Sequence, residues 1–488
     1  MSRIIGTYQY PSYANKGKIQ KVEQVINEYR KTAKNIAKLQ WTYFFKNGSF
    51  NKTLSIKHLN SKLSERYKQN CQRQVVGTLE SFIENVKREF EKIVYKSRLD
   101  KKTKQVLLSI NKQNKWLDNT IEKVYWISKE GAVEHLVSEE EKLIAKKIFK
   151  HILSKWRKPK FNKIAMNLDS RVVKVEENKH SKLFNKWLKL STLEKKNPIH
   201  IPLKNNLYAE NQDGKFLNFY QINIRENRLD IRLIKELNPK EYHPQTEYIA
   251  IDLGLTPLMA TNKGDLIGRN FLDFLKHFDE KITKRFSYLQ KKKIKPSQDK
   301  KYRKLVKKLQ NFLKNEINRY VNNLVEIYKP ETIVVEKLDF RNTELSKRLN
   351  RLVNNFGKRI FREKLKRLQE FYKIKIIEVN PAYTSQTCSR CGYVDKRNRK
   401  NSQIFKCKAC GYKTNAQVNG AINILGRRSA KDIKLHTPKK AVLKILVKQY
   451  LERFKGCRSA PLEVLKENPY FRDFLEDFLN PWSVEKGL

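Results

Sequence analysis

The sequence predicts a multidomain α+β protein, and three observations carry that prediction. The chain has 488 residues, too many for one small domain and enough for roughly two to four. Its first third repeats apolar residues at helical spacing, while later stretches alternate them at strand spacing. Lys and Arg number 105 against 50 Asp and Glu, a net charge of +55 that is neutralised only by a dense polyanion such as nucleic acid or an acidic membrane. That excess excludes an ordinary metabolic enzyme. With 24 Phe, 22 Tyr and 6 Trp the chain can still build cores, so it is not a disordered basic arm. The basic residues are spread along the chain, which suits a protein that wraps its polyanion. There is no run of about 18 apolar residues, and Met1 to Lys16 lacks an apolar signal core, so a cytoplasmic location is expected.

Taken in order, residues 18–46 read as a helix with Val22, Val25, Ile26, Tyr29, Ala33 and Ile36 on one face. Helical patterns continue to about residue 160, interrupted by a loop from Asn47 to Lys52. Residues 162–240 change to short alternating segments, and the stretch from Phe219 contains two strands joined by a polar Arg-Glu-Asn turn. The start from Ile4 to Tyr8 is expected to complete this β-rich part. From Glu247 the pattern is α/β: strands at Tyr248–Ile251 and Leu258–Thr261, a turn at Asn262 to Asp265, then Leu266-Ile267. A basic helical pair follows over 272–328, broken near Pro296, and Thr332–Val335 is a buried strand. A long helix over 344–372 carries Leu345, Leu349, Leu352, Phe356, Ile360, Leu365 and Leu368, before a last strand at Ile374–Val379. This order resembles a ribonuclease H-like sheet.

The strongest chemical signal is Cys388-x-x-Cys391 followed by Cys407-x-x-Cys410. Two such knuckles complete a tetrahedral thiolate site for structural zinc. Gly392 and Gly411 follow each second Cys, where a tight turn favours a residue without Cβ. Lys396, Arg397, Arg399, Lys400, Lys406 and Lys408 surround the ribbon and are expected to meet phosphates. Cys71 and Cys457 stand alone and read as small buried hydrophobes. Asp252 and Glu336 each close a predicted buried strand, where a carboxylate is costly unless it meets a cation. Together they suit Mg²⁺-dependent phosphodiester chemistry; Asp339 reads as a turn residue.

Ile251 to Leu255, Val334 to Leu338, Asn380 to Gly392 and Asn419 to Ile424 resemble, in order and spacing, the transposon-encoded TnpB nucleases and the miniature type V-F CRISPR effectors. The resemblance covers 245–428. It implies a helical recognition lobe over 1–161 with a short N-terminal wedge strand, and a small β-barrel-like wedge domain over 162–245. It further implies a RuvC-like domain over 246–380, a zinc ribbon over 381–413 and a last RuvC helix over 414–428. Residues 429–488 form a C-terminal extension. The implied partners are a guide RNA and a double-stranded DNA target opened as an R-loop.

Two departures stand out. The family's last motif carries a third carboxylate, but here Gln417 occupies that place, Asn415 is also neutral, and no acid lies between Asp395 and Asp432. A carboxamide brings no charge to a hard divalent ion, so Asp252 and Glu336 read as remnant catalytic residues and Mg²⁺ is in doubt. Second, residues 460–488 hold six acids and three bases, with Phe471, Phe474, Leu475, Phe478, Leu479 and Trp482. This tail reads either as an amphipathic helix docked on its own domain or as a docking peptide for a transcription component such as a sigma factor or RNA polymerase. A homodimer is left open. The expected function is RNA-guided DNA binding without cleavage, in transcriptional control; the competing reading is an active RNA-guided endonuclease with an atypical site. An actin-like ATPase reading of Ile251 to Thr256 leaves the charge and the ribbon unexplained.

Overall fold

The computed structural model describes residues 3–128, 131–177, 184–336, 344–401, 403–454 and 462–472. Asp339, Cys457 and the tail beyond Arg472 lie outside the described residues. The chain forms two compact units, Met1–Asn238 and Pro239–Leu488.

The first unit begins with β1 (Ile4–Tyr10), α1 (Lys16–Asn47), α2 (Glu65–Lys96) and α3 (Lys101–Lys112). Asn15 caps α1 by accepting from the Lys18 N–H at 2.9 Å, and Gly48 ends it in the left-handed region at φ 70°. All six apolar residues assigned to the inner face of this helix are buried. The helical region is interrupted by a hairpin that the helical reading missed, β2 (Lys123–Ser128) and β3 (Gly131–Leu136). Next comes α4 (Glu139–Lys155), opened by a reciprocal Ser138–Glu141 capping box.

The β-rich part contains β4 (Met166–Asp169), β5 (Val173–Glu177), β6 (Lys186–Leu190), β7 (Ile199–Leu203), the short α5 (Leu207–Glu210), β8 (Gly214–Arg225) and β9 (Arg228–Leu237). The predicted hairpin is β8–β9, with Glu226 and Asn227 both at positive φ as a twisted two-residue turn requires. As expected, β1 joins this part, pairing with β9 from Ile4↔Leu237 to Tyr10↔Ile231. The strands form two antiparallel sheets, β1-β9-β8-β4 and β5-β6-β7. The two sheets are linked beyond β1, where Ser12 bridges Leu203 of β7, Tyr13 N–H donates to Pro202 O at 3.0 Å and Lys204 N–H to Pro11 O at 2.9 Å. One hydrophobic cluster, from Tyr10 through Ile26 and Leu79 to Leu233, joins α1 and α2 to both sheets.

The second unit is built on a mixed sheet of β10 (Thr246–Leu253), β11 (Met259–Thr261), β12 (Leu266–Ile267), β13 (Pro330–Glu336) and β14 (Lys375–Val379), in the order β12-β11-β10-β13-β14. The first three are antiparallel neighbours, and β13 and β14 return parallel to β10. Helices α6 (Phe271–Lys291), α7 (Lys300–Tyr328) and α8 (Lys347–Tyr372) bury their apolar stripes against it. Leu345, assigned to the long helix, is buried but precedes it, since Ser346 is the N-cap. The small hairpin β15 (Ile404–Lys406) and β16 (Lys413–Asn415) leads into α9 (Ala416–Arg427), followed by α10 (Lys439–Phe454) and α11 (Leu462–Lys466). Among the described residues no helix is long and apolar enough to cross a membrane.

Candidate metal centre and strand-end carboxylate site

The four ribbon thiols converge. Their Sγ atoms all lie within 4.8 Å of one another, with Cys388–Cys410 at 3.8 Å and Cys391–Cys407 at 3.6 Å. These spacings match the edge of about 3.8 Å of a tetrahedron with Zn–S bonds near 2.3 Å. The two knuckles repeat one geometry. Gly392 N–H donates to Cys388 O and Gly411 N–H to Cys407 O, with φ 85° and 72°, so both glycines sit where a Cβ is disfavoured. The donor set therefore fits a structural zinc held by all four thiolates.

The basic residues around the ribbon do not act alike. Lys396, Lys400, Lys406 and Lys408 are exposed. Arg397, by contrast, is engaged by Asp395 at 3.0 Å and by Glu467 at 3.6 Å. Arg399 is half-buried and acts electrostatically on the carboxylates described next.

Those carboxylates meet because of strand register. Ile251 pairs with Val335 in the parallel β10–β13 ladder, so the next residues, Asp252 and Glu336, emerge side by side at the strand ends. Helix α9 packs across β10, β11 and β13 and brings Gln417 and Gly420 to the same place. Nε2 of Gln417 fills the space that a Cβ at Gly254 would need, and a Cβ at Gly420 would come within 2.6 Å of Oδ2 of Asp252. The structure thus brings the sequence-predicted Asp252 and Glu336 together under α9, with Gln417 of that helix buried against Gly254.

Burial pushes the Asp252 carboxyl well above its usual range, and the Glu336 charge adds to the effect, while Arg399 opposes it. Burial likewise pushes Glu336 up to about 7, against a 2.7 Å hydrogen bond donated by the Thr384 hydroxyl and the charges of Arg427 and Arg399. Arg427 is buried, its Nη2 donates to Ala382 O at 3.2 Å, and its Nη1 has no partner. Sequence reasoning missed Arg427, yet helical spacing from Gln417 through Gly420 and Ile424 puts it on the same face. The donor set fits a Mg²⁺ site poorly. Only two carboxylates are present, in the field of Arg399 and Arg427, whereas Mg²⁺ favours anionic oxygen donors in near-ideal octahedral geometry. Oε1 of Gln417 is buried without a partner.

Asn419 and Asn423 tie α9 to the ribbon: Asn419 Nδ2 donates to Thr387 O at 2.8 Å, and Asn423 Nδ2 donates to Thr384 O at 2.8 Å. The described part of the tail covers the ribbon's other side. Phe471 is fully buried, stacked on Tyr393 at 5.2 Å, and Asn468 donates to the Tyr393 hydroxyl at 2.8 Å. For Phe471 the docking-peptide reading is therefore corrected, because its ring is already spent on its own domain. Cys71 is buried as expected.

Residues 231–347 match the OrfB_IS605 model, described as "Probable transposase", and residues 359–424 match the Cas12f1-like TNB domain. The chain is 37% identical over 136 residues to the CRISPR-associated endodeoxyribonuclease Cas12f1 of Sulfoacidibacillus thermotolerans, covering 27% of this chain and 30% of that one. A Cas12f1 of Syntrophomonas palmitatica is 35% identical over 112 residues, 22% of each chain. A TnpB-like protein of Aquifex aeolicus is 40% identical over 80 residues, 16% of this chain and 26% of its own. The solved Cas12f1–sgRNA–target DNA complex aligns at TM-score 0.41 and 15% identity, over 88% of this chain and 100% of that one. Over these stretches the chain is similar to miniature type V-F and TnpB-like proteins, and each of these aligned stretches spans less than a third of the curated relative's own length.

Proposed function

We propose that this chain is an RNA-guided DNA-binding protein that has lost nuclease activity and acts at its target by occupancy or recruitment in transcriptional control. The observation that carries the reading is Gln417, a neutral side chain buried against Gly254, one helical turn before the Gly420 that abuts Asp252, where the resemblance implies a third carboxylate. Arg399 acts on both remaining acids and Arg427 on Glu336, and these fixed cations support a site less suited to a divalent metal. The five-stranded sheet order supports reading the second unit as a RuvC-like domain with its ribbon. The net charge of +55 supports a guide RNA and an R-loop target as partners, held through backbone phosphates.

The second reading is an active endonuclease with an atypical site. It is favoured by the unpartnered Oε1 of Gln417, an oxygen donor facing no protein hydrogen. Guide-loaded protein incubated with a supercoiled target plasmid and Mg²⁺ separates the two: the first reading gives a retained complex without nicking, the second gives cut DNA. Recruitment falls to the tail beyond Arg472. Removing residues 473–488 should then abolish regulation while target binding persists.

A further inference from the structure

The first unit carries a basic aromatic cleft that the guide and target reading does not assign. Along one face of α1, Lys34, Lys38, Trp41 and Phe45 follow at steps of four, three and four residues, so they form one row. The loop after α4 lays Lys158 and Lys160 against that row, closing a cleft of about 380 Å³ over Trp41. The indole is held in place from within, edge-on to Phe44, Phe50 and Phe82, and it stacks on Phe45 at 5.5 Å. Phe45 itself is 42% exposed.

The four lysines are exposed, and among the described residues none of them makes an ion pair. The Lys158 ammonium rests instead over the rings of Trp41 and Phe45, at 4.6 and 4.9 Å from their centres. A cation over a π face marks a face that no carbon covers, and an ammonium on an exposed, flexible stem is easily displaced. An aromatic platform ringed by unpaired lysines has the chemistry of a single-stranded nucleic-acid site, where a base stacks and its phosphates meet the cations.

We infer that this cleft binds an unstacked nucleobase of a single strand, with the base on Trp41 and Phe45 and the flanking phosphates on Lys34, Lys38, Lys158 and Lys160. The inference rests on the chain being a nucleic-acid binder and not on the state of the carboxylate site. In the bound state Lys158 leaves the ring for a phosphate.

The test uses the full chain and a labelled single strand of about 12 nucleotides, as RNA and as DNA, beside an abasic strand of equal length. Trp41→Ala should weaken binding of the base-bearing strand by roughly 5- to 150-fold, the worth of one aromatic stack, and leave the abasic strand unchanged. Trp41→Phe should keep most of the affinity. Phe45→Ala, at an exposed position that does not threaten the fold, should show a smaller loss of the same base-dependent kind. Lys158→Gln with Lys160→Gln should lower the salt slope by about 1.4 for both strands. The arm with the tighter base-dependent binding assigns the site to RNA or to DNA. Equal losses on base-bearing and abasic strands, or no loss from either aromatic substitution, would overturn the inference. Guide uptake by the same variants keeps the two readings apart: wild type that binds guide RNA but shows no base dependence here sinks the cleft alone, whereas wild type that binds no nucleic acid sinks both.

Discussion

Thr384 donates its hydroxyl to Oε2 of Glu336 across 2.7 Å, tying the segment that enters the zinc knuckle to the strand-end carboxylates. Asn423 holds the same threonine through its carbonyl. Sheet, ribbon and α9 therefore share one hydrogen-bonded junction. Thr384→Val should cost about 1.5–3 kcal/mol at pH 8, where Glu336 is charged, and less at pH 5.5, where it is protonated. Denaturant melts at the two pH values check this, and equal losses at both would contradict it.

The acid pair sets a pH dependence of definite sign. Glu336 titrates near 7 in the folded chain against 4.5 ordinarily, and Asp252 is raised as well, with Arg399 and Arg427 as the facing cations. Between those values the folded state holds more protons than the unfolded one. The contribution of Glu336 is thus fully present below about 4.5 and is lost as pH rises through about 7, and that of Asp252 falls with rising pH in the same sense. Glu336→Gln should remove much of this step and gain roughly 1–3 kcal/mol over wild type at pH 8 without divalent ions. Parallel stability curves for the two proteins would refute it.

Removing the metal should be felt beyond the ribbon. Tyr393, one residue past Gly392, is the floor for Phe471 and Tyr450, so the thiolate site and the C-terminal helices share a core. Chelation or Cys407→Ser should release one zinc per chain and lower the melting temperature of the C-terminal unit. Metal analysis alongside calorimetry reads both; an unchanged transition after complete zinc loss would make the metal incidental.

Phe471→Ala should cost about 3–5 kcal/mol, the usual toll for emptying a buried aromatic site. Deleting residues 460–488 should therefore destabilise the second unit as well as remove the acidic tail. If the truncated protein melts like wild type, the burial of Phe471 is unimportant to the fold.

These contrasts show what could be read from residue order. The inner face of α1, the β8–β9 hairpin and both cysteine knuckles are local patterns, each complete within a few turns or strand residues, and all were legible. The strand-end placement of Asp252 and Glu336 was legible too, since each closes an apolar run. The hairpin at Lys123–Leu136 was hidden by its brevity between helices, although Val124, Tyr125, Trp126 and Ile127 are strand formers. The tail was opaque for another reason. Asn468 and Tyr393 are 75 residues apart, and nothing local marks which aromatic ring of an amphipathic segment will be buried at home. Arg427 was overlooked because a basic residue at a helix end is ordinarily a solvated one.

Gln417→Asp would restore the acid that the family resemblance places there. With two arginines in the field and the side chain pressed on Gly254, the variant should at most regain weak Mg²⁺-dependent nicking. Supercoiled-plasmid assays with guide RNA measure it, and wild-type-free, efficient cutting by this single variant would show that the pocket had drifted less than its arginines suggest.

The most direct test of the lost-cleavage account is made on the natural sequence. Protein loaded with its guide is given matched supercoiled DNA and Mg²⁺, and both occupancy and strand breaks are scored for wild type, Asp252→Ala and Glu336→Ala. The account predicts equal occupancy for all three and no guide-dependent breaks in any. Breaks in wild type that disappear in either variant would contradict it and establish a working nuclease with an amide in place of its third acid.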